Sequence, residues 1–350
     1  MKKFFAILLC VCMLAVAIVA CDKTAKEADY KLGMGVVVSL DSSATGNAQV
    51  DATVATVVTD ADGKIVACRI DVAQNKMNVT DGAVDATLTF KTKMEKGSEY
   101  GMAGIIDNDD NGVMLEWDAQ AKAFESYVVG KTAAEVEAIK TQEKKGHKIA
   151  VDQALLDAGC SMQITDFIAA VVKACKDEQG MSFKAAAGSF TLGVAAKTAV
   201  DKDTKAATAE AEGLVCMYTD FAASVVADGK IIASLNDAIQ PKISINAAGE
   251  ITNKAYTATK RELKEGYNMA TYGASMDPNG DGKVLEWYLQ SEAFSKYVVG
   301  KTATEVANLE TAANSINYQM STDKALLDAG CTIQITSIKA VVAQSATNAR

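Results

Sequence analysis

Asp62-Gly-Lys-Ile-Val-Ala-Cys68 recurs as Asp228-Gly-Lys-Ile-Ile-Ala-Ser234, and Tyr127-Val-Val-Gly-Lys-Thr132 recurs as Tyr297-Val-Val-Gly-Lys-Thr302. Outward from these anchors, Leu115-Glu-Trp117 matches Leu285-Glu-Trp287, and Ala154-Leu-Leu-Asp-Ala-Gly-Cys160 matches Ala325-Leu-Leu-Asp-Ala-Gly-Cys331. A period of about 170 residues means a duplicated domain, because solenoid repeats run about 20 to 50. The sequence predicts two tandem copies, residues 30–176 and 190–346, joined through the turn Lys176-Asp-Glu-Gln-Gly180. A chain of 350 residues accommodates two such domains.

Within each copy the pattern passes from strand to helix. Val36-Val37-Val38, Ala52 to Val58 and Lys64 to Val72 are β-branched runs, the last two joined as a hairpin by Thr59-Asp-Ala-Asp-Gly63. Leu115 to Val129 carries Trp117, Phe124 and Tyr127 on one helical face, and Gly130 stands where a C-cap glycine is needed. Thr132-Ala-Ala-Glu135 and Thr302-Ala-Thr-Glu305 read as capping boxes that start a second helix. Met162-Gln-Ile164 reads as a short strand before a helix from Phe167 to Cys175, with a counterpart from Ile333 to about Gln344. The expected class is α+β, two tandem copies of one domain, each an antiparallel sheet covered by helices.

Residues 1–20 form an address. Met1-Lys2-Lys3 is a positive n-region, Phe4 to Ala17 an apolar h-region, and Ile18-Val19-Ala20-Cys21 resembles a bacterial lipobox. The resemblance implies cleavage before Cys21, lipidation of that cysteine, and a 21–30 tether holding the protein to the outer, extracytoplasmic face of the cell membrane. No later apolar run approaches the span length of about 18 residues.

Charge and composition exclude several functions. A net charge of −9 argues against a nucleic-acid partner. A single histidine, His147, removes duplicated Ser-His-Asp or Cys-His catalysis and multi-histidine metal sites, so an electron carrier or binding protein is expected rather than an enzyme. Five cysteines remain after Cys21, an odd number without a CxxC pair, which points to neither a disulfide framework nor a zinc site.

Three features bear on chemistry. Asp107-Asn-Asp109-Asp-Asn111-Gly112 continuing to Asp118 places oxygen ligands at positions 1, 3, 5 and 12 of a calcium-type loop. In the second copy Asp277, Asn279 and Asp281 recur, Tyr288 stands at position 12, and Glu286 at position 10 is the substitute ligand. Ordinary turn and N-cap chemistry also selects such a loop. The second feature is Leu40-Asp41-Ser42-Ser43-Ala44-Thr45, echoed by Thr204-Lys-Ala206-Ala207-Thr208; the third is Asp157-Ala-Gly159-Cys160-Ser161 with its repeat Asp328-Ala-Gly330-Cys331-Thr332.

With these motifs, and with Gly46-Asn-Ala48-Gln49-Val50-Asp51, Tyr100-Gly-Met102, Glu116-Trp117 and Gln163-Ile-Thr-Asp-Phe167, the chain resembles a family of tandem-domain bacterial surface lipoproteins related to FMN-bearing lipoproteins of extracellular electron transfer. The resemblance implies FMN joined by a separate transferase to Thr45 and Thr208, with Ser161 and Thr332 as weaker acceptors, and a quinone-linked redox partner in the membrane. The chain departs from the family's Asp-x-x-Ser-Gly-Ala-Thr motif. Ser43 or Ala206 replaces the glycine, and Ser39 or Lys202 stands where the aspartate belongs. Trp117, Trp287, Phe124 and Phe294 are candidates to line a flavin pocket, although aromatic residues at helical spacing also build cores. The alternative is a non-redox binding or structural surface lipoprotein stiffened by calcium.

Overall fold

The computed structural model describes residues 26–105, 107–269, 284–314 and 317–350. The expected signal peptide and Cys21 lie outside the described residues, as do Asp277, Asn279 and Asp281. Among the described residues no helix is long and apolar enough to cross a membrane.

The chain opens with an antiparallel meander, β1 (Glu27–Ser39), β2 (Asn47–Asp60) and β3 (Ile65–Asn78). The β2–β3 turn forms where the local chemistry demands it: the Asp60 carboxylate accepts from the N–H groups of Asp62 and Lys64, and Gly63 takes φ +74°. Short helix α1 (Lys93–Lys96), α2 (Trp117–Val128) and α3 (Ala133–Glu137) follow, then the small hairpin β4 (Thr141–Lys144) and β5 (His147–Ala150), α4 (Gln153–Asp157) and α5 (Thr165–Cys175).

Strand β6 (Met181–Ala186) returns to pair with β1, completing a four-stranded sheet in the order β3-β2-β1-β6. The same succession then recurs. A second meander comprises β7 (Thr191–Val200), β8 (Gly213–Ala227) and β9 (Lys230–Ile239). Its third strand is interrupted at Pro241, which lacks the ladder N–H, and resumes as β10 (Lys242–Ile245), paired to β11 (Ile251–Ala255). Helices α6 (Lys260–Leu263), α7 (Trp287–Tyr297) and α8 (Ala303–Ala307), hairpin β12 (Thr311–Ala313) and β13 (Gln319–Ser321), α9 (Lys324–Asp328) and α10 (Thr336–Thr347) complete the chain. The protein is thus mixed α+β with antiparallel sheets and helices.

Strand alternation fixes the layers. On β1, Tyr30, Leu32, Met34 and Val36 enter a core shared with Leu192, Val194, Met217, Phe221 and Leu235 of the second meander. The two sheets therefore pack face to face. Their outer faces carry separate helix-on-sheet cores, one centred on Trp117, Phe124 and Phe167 and the other on Trp287, Phe294 and Ile338. Helix α5 lies on β1 and β2, and α10 on β7 and β8, giving four layers, helix, sheet, sheet, helix.

Glycine sets the helix-to-sheet spacing. A Cβ on Gly35 would stand 2.3 Å from the Ala170 carbonyl oxygen of α5, and one on Gly193 would stand 1.9 Å from that of Ser345 in α10.

Two expectations are corrected. The 21–30 tether ends early, because Glu27 already enters β1 and Tyr30 is buried against Phe183 and Phe190. Met162-Gln-Ile164 is not a strand, since its backbone is claimed by a side chain rather than by a ladder. The 176–180 turn forms as expected and is also held by the second half: Arg261 pairs with Asp177 at 3.2 Å and donates to the Gln179 carbonyl at 2.8 Å, both charged side chains being largely enclosed.

Gly35→Ala is expected to lower unfolding free energy by about 1–3 kcal/mol, read as a lower urea midpoint, because the new methyl meets helix backbone that cannot swing aside. Calorimetry of the whole protein is expected to give one cooperative transition, since neither meander buries its inner face alone; two resolved transitions would contradict the shared core.

Candidate functional site

Each half delivers a lysine to a cluster of aromatic rings by the same construction. Thr92 and Thr259 close capping boxes with Glu95 and Glu262 at the starts of α1 and α6. A buried sheet aspartate then ties each first turn down: Asp71 Oδ1 accepts from the Met94 N–H at 3.1 Å, and Asp237 Oδ1 from the Arg261 N–H at 3.0 Å. Glu116 and Glu286, the N-caps of α2 and α7, accept from the N–H groups of Met102 and Met269, which holds the preceding loop against Trp117 and Trp287.

Lys93 Nζ consequently stands 4.8 Å from the Tyr100 ring centre and 5.7 Å from that of Trp117. Lys260 Nζ stands 4.6 Å from Tyr267, 4.6 Å from Tyr218 and 5.5 Å from Trp287. In the second half the rings open onto a cavity of about 430 Å³ lined also by Tyr318 and Asp220. Another hollow, of about 500 Å³, lies at the Asp177–Arg261 pair, whose charges are already matched to each other.

Electrostatics mark these groups. Burial pulls Lys260 down to about 8, against the opposing pull of Asp220, Asp201 and Asp237. Burial pushes Asp220 up to about 6, although the Ser337 hydroxyl and Lys260 favour its charged form, and among the described residues its Oδ1 has no hydrogen-bond partner. Asp237 rises to about 6 despite Arg261 and Thr259, and Asp71 to about 7 despite Thr92 and two backbone N–H groups.

The four hydroxyl positions singled out by sequence separate cleanly. Thr45 is exposed on the β1–β2 turn, where Gly46 takes φ +82° and its N–H reaches the Gly249 carbonyl. Thr208 is exposed on the β7–β8 loop, but its hydroxyl oxygen accepts from the Ala211 N–H at 3.1 Å and the Glu210 N–H at 3.3 Å, an internal turn cap. Ser161 and Thr332 are 1% and 4% exposed. Gln120 and Gln290 grip their backbones: Gln120 Oε1 accepts from the N–H groups of Ser161 and Met162, and Gln290 Oε1 from that of Thr332. The Asp-Ala-Gly-Cys repeat is thus a packing device. Gly159 and Gly330 take φ near +90° with Leu115 and Leu285 against them, and burial pushes the Cys160 and Cys331 thiols up to about 12. Ser161 and Thr332 are thus the two enclosed hydroxyls of the four.

In the first Asp-rich loop, Asp107 accepts from the N–H groups of Asn111 and Gly112, and Asp109 from the Asn111 side chain. Asp118 instead pairs with Lys122 at 2.7 Å, and Lys145 pairs with Asp110 at 2.6 Å. Among the described residues no three His, Cys, Asp or Glu side chains form a group able to hold a metal. Glu286, the substitute ligand of the second loop, serves the Met269 N–H. Phe124 and Phe294 are wholly buried core, whereas Trp287 lines the cavity.

Sequence reasoning missed Lys260, Asp220 and Tyr218. The available signal was the repeated Thr92-Lys-Met-Glu95 and Thr259-Lys-Arg-Glu262, each a capping box with a lysine in its first turn.

No protein-family model and no curated protein matches the chain. Among solved structures, a protein from Bacteroides fragilis with a YmcC-like fold is returned at 10% identity and a TM-score of 0.12, covering 65% of this chain and 92% of that one. A likeness this slight carries no argument.

Asp71 supplies a pH test. Its carboxyl rises from the ordinary value near 4 to about 7 on folding, so the folded chain holds the proton more tightly. Its contribution to stability is then complete below about pH 4 and is lost as pH rises to about 7. Asp71→Asn keeps an acceptor for Met94 and is expected to remove a decline on the order of 4 kcal/mol between those limits. Thermal unfolding of both proteins at pH 5 and 7.5 measures it, and equal declines would contradict the assignment.

Proposed function

We propose that this protein is a non-enzymatic, lipid-anchored electron carrier of the extracytoplasmic face, with FMN attached covalently through Thr45. It consists of two tandem copies of one domain behind a lipoprotein signal peptide, and Cys21 carries the lipid. The observation that carries the reading is the placing of Thr45: it is exposed at a tight turn that a transferase can reach, while Ser161 and Thr332 are enclosed. Thr208 occupies the corresponding loop of the second meander and is the secondary acceptor, its hydroxyl oxygen already bound to two backbone N–H groups. When attached, FMN supplies the one- and two-electron chemistry. The chain supplies the tether, the exposed hydroxyl and the end of the sheet's two central strands beneath it, and a quinone-linked membrane partner supplies electrons.

A binding lipoprotein is the second reading, favoured by the aromatic cavity of the second half. Calcium at the 107–118 loop accompanies it, with Asp107, Asp109 and Asn111 as first ligands; Asp118 would have to leave Lys122 to join them.

Co-production of the chain from Asp22 with a flavin transferase distinguishes the two. The carrier reading expects a mass gain of one or two flavin phosphate units with visible flavin absorbance, and loss of one unit in Thr45→Val. An unchanged mass, beside a known acceptor that is flavinylated under the same conditions, leaves the binding reading.

A further inference from the structure

The cavity of the second half contains two buried polar groups with hydrogen-bonding capacity that the described residues leave unused. Lys260 is only 6% exposed, and among the described residues its ammonium has no hydrogen bond and no carboxylate within ion-pair distance. Asp220 is 2% exposed; hydrogen bonds from the Ser337 and Tyr218 hydroxyls favour its charged form, and among the described residues its Oδ1 has no hydrogen-bond partner. Both line a hollow of about 430 Å³, within the range of small-molecule pockets, roughly 300–1,000 Å³. A buried ammonium and a buried carboxylate oxygen without hydrogen bonds are costly, and the two face the hollow without forming an ion pair with each other. The rest of the wall is aromatic: Tyr218, Tyr267, Trp287 and Tyr318. Rings favour a flat, π-rich occupant, the free ammonium favours an acceptor oxygen, and the free carboxylate oxygen favours a donor.

We propose that this cavity is a binding site for a planar heteroaromatic ring whose edge presents a carbonyl acceptor beside an N–H donor, with Lys260 donating to the carbonyl and Asp220 accepting from the N–H. Tyr267 and Trp287 form part of the wall, and the lysine is fixed from behind by the Asp237 and Thr259 contacts that seat α6. The cyclic imide edge of an isoalloxazine has this donor and acceptor pattern, as do uracil-like rings. The occupant is either a free heterocycle or the ring of a flavin attached elsewhere on the chain. The site does not require covalent attachment, so failure to flavinylate leaves it intact.

Lumiflavin, which has the ring but no phosphate to attach, is the probe. Titrated into the unflavinylated chain from Asp22, it is expected to show saturable fluorescence quenching. Ala199→Trp plants a ring at the exposed rim of the cavity without touching the core, and is expected to weaken binding about tenfold or more. Lys260→Met is expected to do the same, and 3-methyllumiflavin, which lacks the imide N–H, to bind about tenfold more weakly than lumiflavin. Absence of saturable binding, or equal binding by Ala199→Trp, overturns the site; equal affinity for the two flavins overturns the role of Asp220. Repeating the titration on flavinylated protein assigns the source. Blocked binding identifies the attached ring as the occupant, and unchanged binding identifies a free heterocycle.

Discussion

Burial of one apolar sheet face against another governs this molecule. Tyr30, Leu32, Met34 and Val36 of the first meander and Leu192, Val194, Met217 and Phe221 of the second are solvent-excluded only because the sheets meet. At about 25 cal/mol per Å² of apolar surface, such a face is too large to leave in water. The remaining architecture follows from it. The outer faces must then be covered by helices, and glycine at positions 35 and 193 lets α5 and α10 come close enough to do so. The connecting turn is drawn into the interface and locked by Arg261 on Asp177.

A second constraint is the satisfaction of buried polar groups. The loops between sheet and helices cross apolar surface, and their backbone N–H groups need acceptors there. Asp71 and Asp237 serve the first turns of α1 and α6, Glu116 and Glu286 serve Met102 and Met269, and Gln120 and Gln290 serve the turns after Cys160 and Cys331. These paired side chains make the two halves alike in layout. Among the described residues several buried side-chain atoms lack a hydrogen-bond partner, and Asp220 Oδ1 is the one that meets the cavity beside Lys260.

Legibility followed locality. The β2–β3 hairpin was readable because Asp60 and Gly63 shape their own turn, and the Thr132 and Thr302 capping boxes because the threonine and glutamate lie three residues apart. The Met162–Ile164 segment was misread because its β-like pattern competes with Gln120, a partner 42 residues away. The cysteine-containing repeat likewise reads as chemistry in sequence and as packing in space, where Leu115 and Leu285 press on the glycines.

By itself the sequence determined the α+β class, the β2–β3 hairpin and the capped starts of α3 and α8, since each depends on residues within a few positions of one another. Whether the meanders stand apart or share a core was decided only by tertiary structure, because both faces of β2 and β8 carry buried residues and alternation does not say which neighbour covers which. The same holds for the site. Tyr218, Lys260, Trp287 and Tyr318 span about a hundred residues of chain, and only the seating of α6, α7 and β8 on one sheet brings them around a single cavity.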